Sequence, residues 1–148
     1  MNLWLKNSMS ALTFTLKIQP RQRIDLSPLT PDNLVGKTAA DIAAIELYSG
    51  KQRLRVDTVF DIAGDDANDI VIANSCNKLD FIGHDMRTGR IVVHGNAGSY
   101  LGLQMRNGEI LLHGNADAFA ASGLSGGLIH IHGNVGDFLA AAIAGDRK

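Results

Sequence analysis

The chain predicts a mainly β fold: a right-handed parallel β-helix, a single-stranded solenoid of 19 residues per coil, behind a small N-terminal β/α cap. The first observation behind this is an ungapped repeat. Residues 85–103 read DMRTGRIVVHGNAGSYLGL, 104–122 read QMRNGEILLHGNADAFAAS and 123–141 read GLSGGLIHIHGNVGDFLAA. The second is strand alternation inside each repeat, and the third is glycine at both ends of each strand. A fixed period near 20 residues with no helical pattern inside it marks stacked coils, each covering the apolar face of its neighbour. No segment between the strands has the periodicity of a crossover helix, and parallel crossovers are nearly always right-handed.

The elements follow in order. Leu12, Phe14, Leu16 and Ile18 alternate with Thr13, Thr15 and Lys17, the period of a half-buried strand. Pro20, Pro28 and Pro31 punctuate a loop. Thr38 ahead of Ala39, Ala40 and Asp41 is a helix-start signature. Ile42, Ile45 and Leu47 share a face before Gly50, which predicts a helix over residues 39–48. A strand follows where Leu54 and Val56 alternate with Arg53, Arg55 and Asp57. These elements form the expected cap, residues 1–58, and the coils occupy 59–148. The coils begin in degenerate form, with strand-and-turn patterns at Phe60 to Gly64 and Ile70 to Asn74. Phe81-Ile82-Gly83 precedes Tyr100-Leu101-Gly102 by 19 residues, but Ile70-Val71-Ile72 precedes Ile91-Val92-Val93 by 21, so the first full coil carries two extra residues in its turn.

Alternation assigns the faces. Ile91/Val93, Ile110/Leu112 and Ile129/Ile131 stay branched and apolar in every coil and point to the core. Arg90, Glu109 and Leu128, and Val92, Leu111 and His130, vary and point outward. Val92, Leu111, Leu128 and His130 are therefore the interface candidates, because a row of exposed apolar residues marks a contact surface. Met86, Met105 and Leu124 repeat as a second inward column. Gly89, Gly108 and Gly127 precede the strands and Gly95, Gly114 and Gly133 follow them, where a tight corner demands positive φ or close backbone approach.

Three residue columns invite a chemical reading. His94, His113 and His132 would stack about 4.8 Å apart. Histidine is a common zinc or iron ligand, but a straight column aims its imidazoles in parallel rather than at one point. It reads as an outward ladder, with an independent metal-binding protein using His94, His113 and His132 as the alternative. Asn96, Asn115 and Asn134 read as a turn ladder whose amides satisfy one another and the corner backbone. Tyr100, Phe119 and Phe138 read as a stacking spine. The glycine-rich run from Gly95 to Gly102 opens no helix and places Asp117 where Gly98 stands, so it is not a phosphate cradle. Cys76 has no marked base, and Asp80, Asp85, Asp117 and Asp137 occupy different coil positions, so neither nucleophile nor paired-carboxylate chemistry is indicated.

Bulk properties narrow the classes further. The 148 residues suit one domain, and 14 basic against 15 acidic residues, well mixed, leave no footprint for nucleic acid or an anionic membrane. A single cysteine excludes an internal disulfide and points to a reducing cytoplasm. The opening MNLWLKNSMS has neither the charge nor the apolar run of a signal peptide, and Met9 is an alternative start.

The coils resemble the family that contains the C subunits of formylmethanofuran dehydrogenase and of the bacterial formyltransferase/hydrolase complex. The residues that carry this are Phe81-Ile-Gly-His-Asp-Met86, then Gly89-x-Ile-x-Val-x-Gly-Asn-Ala-Gly98, then Gly126-Gly-x-Ile-x-Ile-x-Gly-Asn-Val-Gly-Asp137, together with Arg23-Ile-Asp-Leu-Ser-Pro-Leu-Thr-Pro31. The glycine-rich repeat also resembles the C-terminal β-helix of glutamate synthase large chains, and a module of that kind is a second alternative. The first resemblance implies a structural, non-catalytic subunit in tetrahydromethanopterin- and methanofuran-linked one-carbon metabolism. Its partners would be an amidohydrolase-like A subunit and a formyltransferase D subunit. It also implies no cofactor on this chain, with a molybdenum or tungsten pterin only in a partner of the dehydrogenase type. Gly145 aligns with Gly126, so the repeat pattern breaks off before its next strand. A shortened chain, or a homodimer through the open C-terminal coil, is expected.

Overall fold

The computed structural model describes residues 9–140. The protein is mainly β, and its principal sheet has six strands. These are β1 (Ala11–Leu16), β5 (Phe60–Ala63), β6 (Asp66–Ser75), β8 (Arg90–Gly95), β9 (Glu109–His113) and β10 (Leu128–Ile131), in the order β10-β9-β8-β6-β1-β5. Two short sheets flank it: β2 (Ile24–Asp25) beside β7 (Leu79–Asp80), and the hairpin of β3 (Glu46–Ser49) with β4 (Gln52–Arg55). Three single-turn helices, α1 (Pro31–Leu34), α2 (Ala39–Ala43) and α3 (Val56–Val59), complete the described chain.

The repeat dictates the pairing. Strands β6, β8, β9 and β10 are parallel, and each residue lies against its equivalent one coil away: Ile91 on Ile110 on Ile129, Val93 on Leu112 on Ile131. The two extra residues of the first coil are absorbed in steps. Ile70 pairs with Ile91 at an offset of 21, and Ser75 with Gly95 at 20 after a register shift. Phe81 stacks on Tyr100 at the regular spacing. Asn74 sits at that shift with φ of 58°, and its side-chain amide donates to the Leu16 carbonyl at 2.9 Å.

The expected faces hold where a further coil lies above. Ile70, Ile72, Ile91, Val93, Ile110 and Leu112 are fully buried, as are Met86 and Met105. In the outermost described coil Ile129 and Ile131 are only half-buried and Leu124 is 41% exposed, contrary to its assignment to the inward column. Nothing among the described residues stacks beyond β10, so its apolar side chains have one neighbour instead of two.

Three further expectations need correction. The strand read through Val56 and Asp57 ends at Arg55, where the chain turns into α3. The helix predicted over residues 39–48 stops at Ala43. Thr38 and Asp41 do form the capping box, but Leu47 and Ser49 alternate as buried positions of β3, whose pairing with β4 overrides helical continuation. Nor is the sheet a purely parallel coil. β1 lies parallel to β6 on one side, and on its other side β5 runs antiparallel, with Phe14 opposite Ile62 and Leu16 opposite Phe60. The pattern at Phe60 to Gly64, read as a first coil, is this antiparallel edge. Edge-to-face packing of Phe14 on Phe60, with centroids 5.8 Å apart, fixes the arrangement. One cluster of buried side chains runs from Leu12 through Ala120. No helix among the described residues is long and apolar enough to cross a membrane.

Stability should report coil position. Ile110→Ala removes a fully buried side chain covered on both sides and is expected to cost about 3 kcal/mol in chemical denaturation. Ile129→Ala, at the half-buried equivalent, is expected to cost about 1 kcal/mol.

Candidate functional site

Register places the outward residues in rows across the sheet. Thr13, Val71, Val92, Leu111 and His130 form one row, and Asp69, Arg90, Glu109 and Leu128 the next. Three of the four interface candidates thus share a row, with Leu128 beside them. Val92 and Leu111 are half-buried, Leu128 is 54% exposed and His130 is exposed. Arg90 closes one side through Asp69 at 3.1 Å, a hydrogen-bonded pairing that raises the guanidinium pKa above its ordinary value. The third row is the histidine column. His94 stacks on His113 with centroids 5.2 Å apart, and His113 on His132 at 4.8 Å.

At the corner after each strand the asparagines build a backbone ladder. The Asn115 N–H donates to Asn96 Oδ1 at 2.9 Å, and the Asn134 N–H to Asn115 Oδ1 at 2.8 Å. Each amide therefore satisfies a backbone donor of the next coil, which an apolar side chain would leave bare. The glycines beside them are of two kinds. Gly95 has φ of 115°, while a Cβ on Gly114 or Gly133 would meet the carbonyl of the glycine one coil earlier. Gly89, Gly108 and Gly127, before the strands, all take positive φ.

The aromatic spine has four members. Phe81 joins Tyr100, Phe119 and Phe138 in one stack with centroids 5.2, 5.0 and 4.9 Å apart. All four aromatics adopt φ between 60° and 64°. A left-handed backbone at bulky residues carries an intrinsic cost. The repeated turn imposes it at each coil, and ring stacking offsets it.

One constellation was not singled out in the sequence. Arg23, just before β2, donates from Nε and Nη2 to the two carboxylate oxygens of Asp80 at 2.7 and 2.8 Å. Its Nη2 also reaches the Asn77 carbonyl, Ser99 Oγ and Asp117 Oδ2 at 3.1, 3.2 and 3.3 Å. Asp80 is 8% exposed and also accepts the Ser99 N–H at 2.8 Å. The hydrogen bond to Asp80, followed by its charge and the contacts with Asp117, raises the Arg23 pKa. One guanidinium thereby ties the N-terminal segment to three successive coils. Its signal was present: Asp80 occupies the coil position of Ser99 and Ala118, and a carboxylate in a buried turn requires a cationic partner.

The remaining candidates fall apart spatially. Cys76 packs against the core as a half-buried thiol. His84 borders a cleft of about 580 Å³ with Ser27, Thr30, Asn33 and Arg87. There Asp32 accepts the Arg87 N–H at 2.8 Å, and Asp85 pairs with Arg106 at 3.1 Å. Among the described residues no three His, Cys, Asp or Glu side chains are grouped to enclose a metal ion.

Fold and site together define a mainly β protein with a sequence repeat, whose singled-out residues stand in ladders across neighbouring parallel strands. No family model matches the chain. It is 32% identical over 92 residues to the C subunit of the tungsten-containing formylmethanofuran dehydrogenase 2 from Methanococcus maripaludis, covering 61% of this chain and 34% of that protein. It is 46% identical over 57 residues to the protein of the same name from Methanocaldococcus jannaschii, covering 36% of this chain and 21% of that protein. The C subunit of the formyltransferase/hydrolase complex of Methylorubrum extorquens is 31% identical over 86 residues, 58% of this chain and 32% of that protein. Among solved structures, a chain of the formyltransferase/hydrolase complex from Methylorubrum extorquens, crystallised with methylofuran, superposes with a TM-score of 0.84 at 30% identity, over 90% of this chain and 51% of that one. The chain is thus similar in sequence and in fold to C subunits of formylmethanofuran dehydrogenase and of the formyltransferase/hydrolase complex. It spans about a third of the curated relatives' length and about half of the solved chain.

Replacing Arg23 by glutamine removes the guanidinium from a nearly buried carboxylate. Denaturant titration is expected to show a loss of about 2 kcal/mol. Arg55→Gln, which breaks the exposed pair with Asp57, is expected to leave the midpoint unchanged.

Proposed function

We propose that the chain serves as a structural, non-catalytic member of a one-carbon assembly of the formyltransferase/hydrolase or formylmethanofuran dehydrogenase type. The observation that carries this reading is the TM-score of 0.84 over nine-tenths of the chain against a member of the methylofuran-bound complex. In this reading an amidohydrolase-like subunit and a formyltransferase subunit perform the chemistry on tetrahydromethanopterin- and methanofuran-type carriers. Any molybdenum or tungsten pterin belongs to a partner, and the assembly works in the cytoplasm.

The ladders support the assignment physically. A side chain whose hydrogen bonds or ring faces serve the next coil is committed to stacking and is poorly placed to act on a substrate. In the same reading the coils form a right-handed parallel β-helix that acts as a rigid platform. The outward row of Val92, Leu111 and His130, with Leu128 beside it, is the partner-facing surface, since apolar side chains on a solvent-side row contribute most when covered. The outermost described coil exposes Leu124, Leu128, Phe138 and Leu139, and through this apolar surface two copies would meet end to end.

Co-expression with the candidate amidohydrolase-like and formyltransferase subunits tests the assignment: the three are expected to co-purify, and a chain that elutes alone contradicts it. Leu111→Glu is expected to weaken that association at least about tenfold by placing a charge in the interface. Undiminished co-purification of the variant would move the contact to another face. For the end-to-end contact, light scattering at micromolar concentration should give twice the chain mass of 15.8 kDa.

A further inference from the structure

The histidine column by itself cannot converge on an ion. Its rings lie one strand apart and within 8° and 14° of parallel, each covering the face of the next. A fourth imidazole adds a donor beside the column, on the same chain segment. His130 lies in β10, His132 follows one residue past its end, and both are exposed. Their ring centroids are 4.4 Å apart with planes inclined by 20°. Both side chains are exposed, and no hydrogen bond or ion pair within the described chain engages either imidazole.

We propose that His130 and His132 form a surface chelate for a divalent transition cation of the zinc or nickel class, its remaining positions filled by water. Two imidazole nitrogens on one tetrahedral zinc, at ordinary bond lengths of about 2.0–2.1 Å, stand about 3.3 Å apart. Reaching that separation requires both exposed rings to turn out of the stack, which gives up the contact of His132 with His113. The donor type selects the ion: imidazole suits zinc, nickel and copper. Magnesium and calcium demand oxygen ligands, which strand β10 does not supply. His94 lies two coils away and touches only His113 within the column, so it takes no part. This chelate does not depend on the assembly proposed above.

Calorimetric titration of the untagged full chain with zinc chloride and with nickel chloride tests it. Saturable binding of one ion per chain is expected at micromolar concentration. His130→Gln and His132→Gln are each expected to weaken it by about tenfold or more, as one donor of a two-donor chelate is lost. His94→Gln should leave it unchanged, and thermal melting establishes that each variant is folded. On the unsubstituted chain, substoichiometric nickel should broaden the ring resonances of His130 and His132 before those of His94. Absence of saturable binding below millimolar metal, equal loss in His94→Gln, or uniform broadening of all the histidines would overturn the assignment.

Discussion

The repeat answers to one constraint: from β8 to β10, parallel strands 19 residues apart stack in register, so each residue there rests on its own equivalent. The inward positions must then be apolar in every coil, because each is covered above and below by the same position. Corners must close at the same point each time, which restricts them to glycine or to residues held at positive φ. Polar turn residues must satisfy the coil beside them, as Asn96 and Asn115 do for the backbone of the next asparagine. Aromatic rings and imidazoles stack for the same geometric reason.

The N-terminal segment is drawn into this scheme rather than set apart from it. β1 takes the place of a further coil, parallel to β6, and turns its other edge to the antiparallel β5. Arg23 performs the same task at the corner, binding Asp80 in the first coil and reaching Ser99 and Asp117 in the next two. A long-range hydrogen-bonded ion pair with a nearly buried carboxylate holds this junction more firmly than exposed pairs such as Lys17 with Asp61.

The same constraint separates scaffold from site. Residues that recur at a fixed coil position, however suggestive singly, are explained by stacking. Residues that break the repeat are the ones stacking does not explain. Asp80 breaks it where Ser99 and Ala118 would stand, and answers Arg23. His130 breaks it where Val92 and Leu111 would stand, and brings a second imidazole beside the column. Leu128 breaks it where Arg90 and Glu109 would stand, and widens the apolar outer row.

Periodicity alone determined the coil length, the inward and outward faces of β8 and β9, the corner glycines and the three ladders, because each follows from local spacing repeated without gaps. The two extra residues between 70 and 81 were legible too, although one of them is absorbed at the register shift inside β6 rather than in the turn. Tertiary structure decided what spacing cannot express. Leu47 joins a hairpin instead of extending a helix because its partner strand lies at 52–55. Phe60 leads an antiparallel edge because β1, more than 40 residues earlier, packs Phe14 against it. Arg23 meets Asp80 across 57 residues of chain. In each case the energy resides in a contact between segments distant in sequence, and no local pattern records which distant segment will arrive.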